Sequence, residues 1–300
     1  MNMKKALAFM MTVMMVLCLL GCTASAEKAR VMASFYPMYI LAMNVFDGIS
    51  DIQLDCMTAP ETGCLHDYQL LVSDMMKLSQ ADALIVGGAG MESYLDDVIA
   101  RFPALAVIDC SRGIELLHDG EHHHGDEEEE AFNAHTWLDA QNAMKIVQTI
   151  ADEAALRFPQ HADHLQSNAA AYIDRLEGLD ETLKERLLPV QGEKIVTFHE
   201  AFPYFAQAYG LEIAAVISEE HEESLSPAQL STVIEAVKEA GVPPLFTEPQ
   251  YSAAAAYAVA AETGAAIYTL DPLVSGEYAM DAYERGMLAN AEALLEAFGK

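Results

Sequence analysis

The chain has 300 residues, of which 16 are Lys or Arg and 46 are Asp or Glu, for a formal charge of −30 at pH 7. A body this acidic is repelled by nucleic acid, which excludes that partner, whereas a cationic ligand suits its field. The length admits two domains of ordinary size, each with its own core.

In chain order, Lys4 and Lys5 precede an uncharged apolar stretch from Ala6 that runs into Leu19-Leu20-Gly21-Cys22. A run this short is a poor transmembrane span. With its basic flank and a small residue before cysteine it reads as a lipoprotein signal peptide, residues 1–21, ending at a lipobox. Cys22 is then the acylated first residue of the mature chain, and the expected location is extracytoplasmic, anchored to the cell membrane by lipid. No second apolar run is long enough to span a bilayer.

Segments 30–36, 51–57, 82–87 and 104–108 read as strands with helix-period segments between them, and so do 193–198, 211–217, 243–248 and 265–270 in the second half. This alternation predicts parallel sheets. Between the halves, Leu165, Ala169, Tyr172, Ile173, Leu176, Leu179 and Leu183 recur at helical spacing without an intervening proline, so 160–188 is expected to form one amphipathic helix about 40 Å long. Ser226 and Pro227 suit the cap and first position of a helix stopped by Gly241, and the helix at 251–263 is stopped by Gly264. The predicted fold is α/β: two four-stranded parallel-sheet α/β domains, 22–158 and 189–300, bridged by one long rigid helix, 159–188.

The segment 118–130 departs from this pattern. It sets His118, His122, His123 and His124 among acids and glycine, and is expected to be a disordered loop. Two readings stand for it, an accessory zinc collector and a solvated insert. Cys18 leaves with the signal and Cys22 carries lipid, so Cys56, Cys64 and Cys110 remain. A Cys56–Cys64 disulfide would close a short loop just before His66 and leave Cys110 odd, although the sequence does not choose among the three pairs.

Parallel sheets bind ligands beyond the carboxyl ends of their strands. His199 stands immediately after strand 193–198 and Asp271 immediately after strand 265–270, while His66 follows strand 51–57 by a loop and His135 precedes a helix capped by Asp139. Three histidines and an aspartate are thereby expected in one cleft between the domains, a donor set for a metal ion. Glu248, which also ends a strand, is the alternative oxygen ligand or an acceptor that orients a histidine. Glu200, beside His199, is a second alternative. Asp271 also fits a turn or cap before Pro272.

GCLHDYQL at 63–70, HTWLDAQNA at 135–143, FHEAFPYFAQAYGL at 198–211, FTEPQ at 246–250 and TLDPL at 269–273 together resemble the metal-binding lipoproteins of bacterial ABC-type zinc and manganese importers. The resemblance covers nearly the whole mature chain. It implies a metal-binding periplasmic-binding-protein-like fold, a monomer without enzymatic activity, and delivery of the ion to an ABC permease and its ATPase. It also implies that His66, His135 and His199 are ligands, with Asp271 as the carboxylate. Members thought to carry manganese have a carboxylate where His199 stands. Imidazole suits zinc and carboxylate suits manganese, so three histidines and one aspartate favour Zn2+ in a closed, near-tetrahedral shell, with Mn2+ or iron as the alternative. This chain departs from the family pattern at Leu65 and Ala140, where proline is usual. Cys64, two residues from His66, is then an alternative thiolate ligand. A zinc hydrolase would need an open ligand position and a general base, for which Glu248 or Glu200 would serve, but the chain carries no HExxH helix, nucleophile elbow or phosphate loop. A surface adhesin suits an anchored lipoprotein, yet no residue speaks for it.

Overall fold

The computed structural model describes residues 28–65, 68–118, 132–217, 226–241, 243–250 and 253–300. The expectations for the signal at 1–21, for Cys22, for His66, and for His122, His123 and His124 lie outside the described residues.

Two all-parallel sheets form, and they share one topology. In the first half, β1 (Ala29–Ala33), β2 (Ile52–Cys56), β3 (Ala83–Val86) and β4 (Ala106–Asp109) lie in the order β2-β1-β3-β4. In the second half, β5 (Lys194–Thr197), β6 (Glu212–Val216), β7 (Leu245–Thr247) and β8 (Ile267–Thr269) lie in the order β6-β5-β7-β8. The inner strands are covered on both faces, and for that reason Ala83, Leu84, Ile85 and Val86 form an unbroken buried apolar run rather than an alternating one. β7 is shorter than its apolar run predicts. Pro243 and Pro244 have no N–H to give the ladder, so pairing starts at Leu245, with Pro244 contributing only its carbonyl to Val196 N at 3.2 Å.

Helices α1 (Tyr36–Val45), α2 (Val72–Leu78) and α3 (Asp96–Ile99) connect the first sheet, and α4 (Ala140–Arg157) follows it. Asp139 caps α4 as expected, accepting from Gln141 N at 2.8 Å, an interaction that stabilises a helix by about 1 kcal/mol. The predicted bridging helix is α5 (Ala162–Leu187), 26 residues long and therefore about 39 Å. Its buried stripe is Leu165, Ala169, Tyr172, Leu176, Leu179, Leu183 and Leu187, while Ile173 sits at the stripe's edge, half-buried. In the second half come α6 (Pro203–Tyr209), α7 (Pro227–Glu239), α8 (Ala254–Thr263) and α9 (Ala282–Ala297). Ser226 and Gln229 form a reciprocal capping box on α7, with bonds of 3.3 and 3.0 Å.

Helix α5 ties the two halves together. Asn168 Nδ2 donates to Val45 O at 3.0 Å at the end of α1, and Tyr172 Oη lies 3.4 Å from Glu284 Oε2 on α9. Arg175 reaches Asn44 Oδ1 at 2.6 Å on α1 and Glu284 Oε1 at 3.1 Å on α9. One continuous apolar core runs from Val31 through α5 to Leu294. Gly276 closes the seam: its amide donates to Pro60 O at 3.1 Å, and a Cβ there would stand 2.7 Å from Tyr36 Oη, which admits only glycine. Two domains that share a core have little freedom to hinge.

The suggested Cys56–Cys64 disulfide does not form. At the end of β2, Cys56 Sγ stays beside Thr58 Oγ1 at 3.9 Å, whereas Cys64 Sγ is turned across the cleft to His135. Among the described residues, no helix is long and apolar enough to cross a membrane.

Candidate metal centre

His199 and Glu248 reach the site because their strands are neighbours. β5 and β7 pair directly, and each runs out at its carboxyl end into one of these residues, so His199 Nδ1 faces Glu248 Oε2 at 3.4 Å. The Glu248 side chain is fully buried; its Oε2 also accepts from Gln250 Nε2 at 2.8 Å, and its Oε1 has no hydrogen-bond partner among the described residues. Burial pushes its carboxyl above the usual carboxylate range, against the pull of the His199 imidazolium. Burial alone would lower the pKa of His199, but Cys64 and Glu248 outweigh it and lift the imidazole to about 10.

His135 enters from the first half, only 1 % exposed, just before the turn at Thr136–Leu138 that leads into α4. Asn133 orients it. The amide Nδ2 of Asn133 donates to Glu200 O at 2.6 Å, which leaves Oδ1 to accept from His135 N at 3.0 Å and from His135 Nδ1 at 3.3 Å. An amide oxygen only accepts, so the imidazole proton resides on Nδ1 and the Nε2 lone pair points into the cleft. The ring rests against Trp137 at 5.2 Å, and Trp137 is pinned in turn by its Nε1 bond to Pro272 O at 2.8 Å and by Tyr283 Oη donating to its carbonyl at 2.6 Å.

Cys64 completes the constellation. Its Sγ lies 3.4 Å from His135 Nε2, the His135 and His199 rings stand 4.7 Å apart at 83°, and one donor atom from each of the three residues lies within 4.8 Å of the others. Asp271 is not in that group. Its Oδ1 accepts from Leu273 N at 2.8 Å, and its backbone is held by Asn290 at 2.8 and 2.7 Å, so in this structure it makes the turn that Pro272 suggests. It remains close enough for its charge to raise the pKa of Glu248. Glu200 contributes its backbone carbonyl to Asn133. His118 pairs with Phe132 in an antiparallel bridge, rings 5.1 Å apart, and is not a member of the three-residue group.

Of the expected ligands the structure brings His135 and His199 together, with the two alternatives Glu248 and Cys64 beside them and Asp271 outside the group; His66 lies outside the described residues, and Asn133 is a further member. Asn133 was not singled out by the sequence reading, although a polar acceptor two residues before a ligand histidine is the signal that would have found it. Nitrogen and sulfur donors converging in a buried, negatively charged cleft can take up a divalent cation.

A family model described as zinc-uptake complex component A, periplasmic, matches residues 31–297. The chain is 27 % identical over 282 residues to the zinc-binding lipoprotein AdcA of Streptococcus pneumoniae, covering 90 % of this chain and 56 % of AdcA. It is 28 % identical over 230 residues to the manganese-binding lipoprotein MntA of Halalkalibacterium halodurans, covering 76 % and 73 %. It therefore spans little more than half the length of AdcA. A crystal structure of ZnuA superposes with a TM-score of 0.77 at 26 % identity, covering 90 % of this chain and 99 % of that one.

Proposed function

Because the chain belongs to the periplasmic zinc-uptake component A family, we propose that it is the extracytoplasmic zinc-binding subunit of an ABC-type importer, a binding protein rather than an enzyme. The observation that carries the proposal is the convergence of Cys64, His135 and His199 from the two halves of the molecule within 4.8 Å. Zinc is the proposed cargo, because imidazole stands at position 199 and the donors at hand are nitrogen and sulfur, which suit zinc better than the harder manganese. The relatives named for zinc and for manganese make manganese the alternative.

In this reading His135 and His199 each bind through the ring nitrogen that their partner leaves free. His66 and Asp271 are further candidate ligands on the strength of their motif positions. Arrival of the ion replaces its water shell with protein donors and expels the proton on the ligating nitrogen of His199, while the proton on Nδ1 stays beside Glu248. The shared core and α5 favour capture with little domain closure. Acylated Cys22 would hold the protein at the membrane, where it delivers the ion to a permease and its ATPase.

The test is an equilibrium competition between zinc and manganese for the metal-stripped full chain. One tight zinc site with manganese bound far more weakly is expected. Manganese preferred over zinc would replace the zinc reading by the manganese one, and tight binding of neither would remove the capture function.

A further inference from the structure

We infer that Cys64 is a direct, thiolate ligand of the captured ion, taking the inner-sphere position for which Asp271 is the other candidate. The inference rests on the metal-capture reading and gives it a sulfur donor that decides selectivity.

Local sequence explains how the sulfur arrives. Gly63 adopts a left-handed φ of 83°, and Leu65 is fully buried in the main core, so the chain turns sharply and is pinned on either side of Cys64. The thiol is not consumed by Cys56, which faces Thr58 and remains free. Its neighbour is instead His135 Nε2, the nitrogen whose lone pair Asn133 leaves exposed by holding the proton on Nδ1.

The spacing fits coordination. With a zinc–sulfur bond of about 2.3 Å and a zinc–nitrogen bond of about 2.0–2.1 Å, the sulfur–nitrogen edge of a tetrahedron is about 3.6 Å. Cys64 Sγ and His135 Nε2 are 3.4 Å apart. A thiol–imidazole hydrogen bond alone has a similar length, but it does not require a second imidazole to close on the same sulfur. Here His199 does so, and the three donor atoms form one mutual group. Asp271 stands outside that group with Oδ1 already accepting from Leu273 N at 2.8 Å, a bond it would have to give up or share.

On binding, the thiol proton leaves to solvent as the sulfur lone pair forms the bond to the metal, and no electron is transferred. One thiolate on a dication, with buried Glu248 beside His199, brings the centre close to electrical balance. Thiolate also discriminates against manganese more strongly than carboxylate does.

Cobalt(II) titration of the metal-stripped full chain tests this, since a cobalt–thiolate bond gives an intense near-ultraviolet charge-transfer band that nitrogen and oxygen donors do not. We expect the band in the parent and its loss in both Cys64→Ser and Cys64→Ala. Replacing a group that merely orients a ligand costs about 10–100-fold in metal affinity, so zinc binding should weaken by more than about 100-fold in Cys64→Ala. Should the variants misfold, zinc X-ray absorption of the parent alone decides, with a zinc–sulfur distance of about 2.3 Å expected. Cobalt bound with no sulfur band, together with a zinc shell of nitrogen and oxygen only, would overturn the thiolate and leave metal capture intact. A parent that binds neither metal would overturn both.

Discussion

Asn133 Oδ1 lies 3.3 Å from His135 Nδ1, and this contact determines which imidazole nitrogen meets the ion. Because the same amide donates to Glu200 O at 2.6 Å, it cannot flip without losing that bond. Asn133→Ala should leave the fold in place but free the His135 ring and tautomer. A loss of about 10–100-fold in zinc affinity is expected, read by chelator competition. Asn133→Asp keeps an acceptor for His135 but loses the bond to Glu200 O, so it should recover part of the affinity lost in Asn133→Ala; an Asp variant as weak as the Ala variant would remove the orienting role.

Cys64 and Glu248 together set the proton balance of His199. With His199 lifted to about 10, the metal-free protein holds a proton there at neutral pH, and zinc must displace it. Zinc affinity should therefore rise with pH, by up to about tenfold per unit for that single proton, up to about pH 10. Glu248→Gln removes the anionic partner at 3.4 Å and lowers the His199 pKa. Calorimetry in buffers of different ionisation enthalpy should then show fewer protons released at pH 8 than in the parent.

Glu92 offers a pH effect away from the metal. It is buried at the end of the first sheet, accepting from Ser34 Oγ at 2.6 Å and from the amides of Gly87 and Gly88 at 2.7 and 3.0 Å. Burial outweighs these bonds and raises its carboxyl to about 7. A folded-state pKa above the unfolded value means that the folded chain binds the extra proton. The associated stability is complete below about 4.5 and is lost as pH rises through about 7. Glu92→Gln should flatten the fall in melting temperature between pH 5 and pH 7 relative to the parent, as followed by circular dichroism.

The bridging helix can be tested through its packing. Leu176 is fully buried in the stripe that α5 turns to the shared core. Leu176→Ala should cost about 2–5 kcal/mol, and, because one core serves both halves, it should shift a single urea transition rather than separate two. Two transitions would contradict the rigid connection.

Most of the fold was legible because its signals are local. Apolar runs such as ALIV at Ala83–Val86, the 3–4 spacing along α5, and the capping box at Ser226 each act within a few residues. His199 and Glu248 were legible for a related reason: a residue that ends a parallel strand must emerge at the ligand-binding edge. Cys64 was legible as an alternative thiolate ligand, but its contact with His135 was not. That contact depends on the left-handed turn at Gly63, the burial of Leu65 and a partner 71 residues away, none of which has a periodic signature. At Asp271 the same residue type suits either a ligand or a turn, and only the position of Leu273 N reveals the bond that its carboxylate makes here.

In the proposed function, imidazoles from the two halves of the chain hold one metal ion between them. Zinc affinity of the metal-stripped full chain, measured by chelator competition beside His135→Ala and His199→Ala, tests it most directly. One tight site is expected, weakened by more than about 100-fold by each substitution. Equal affinity in all three proteins would mean that these histidines are structural and that the ion, if bound, sits elsewhere.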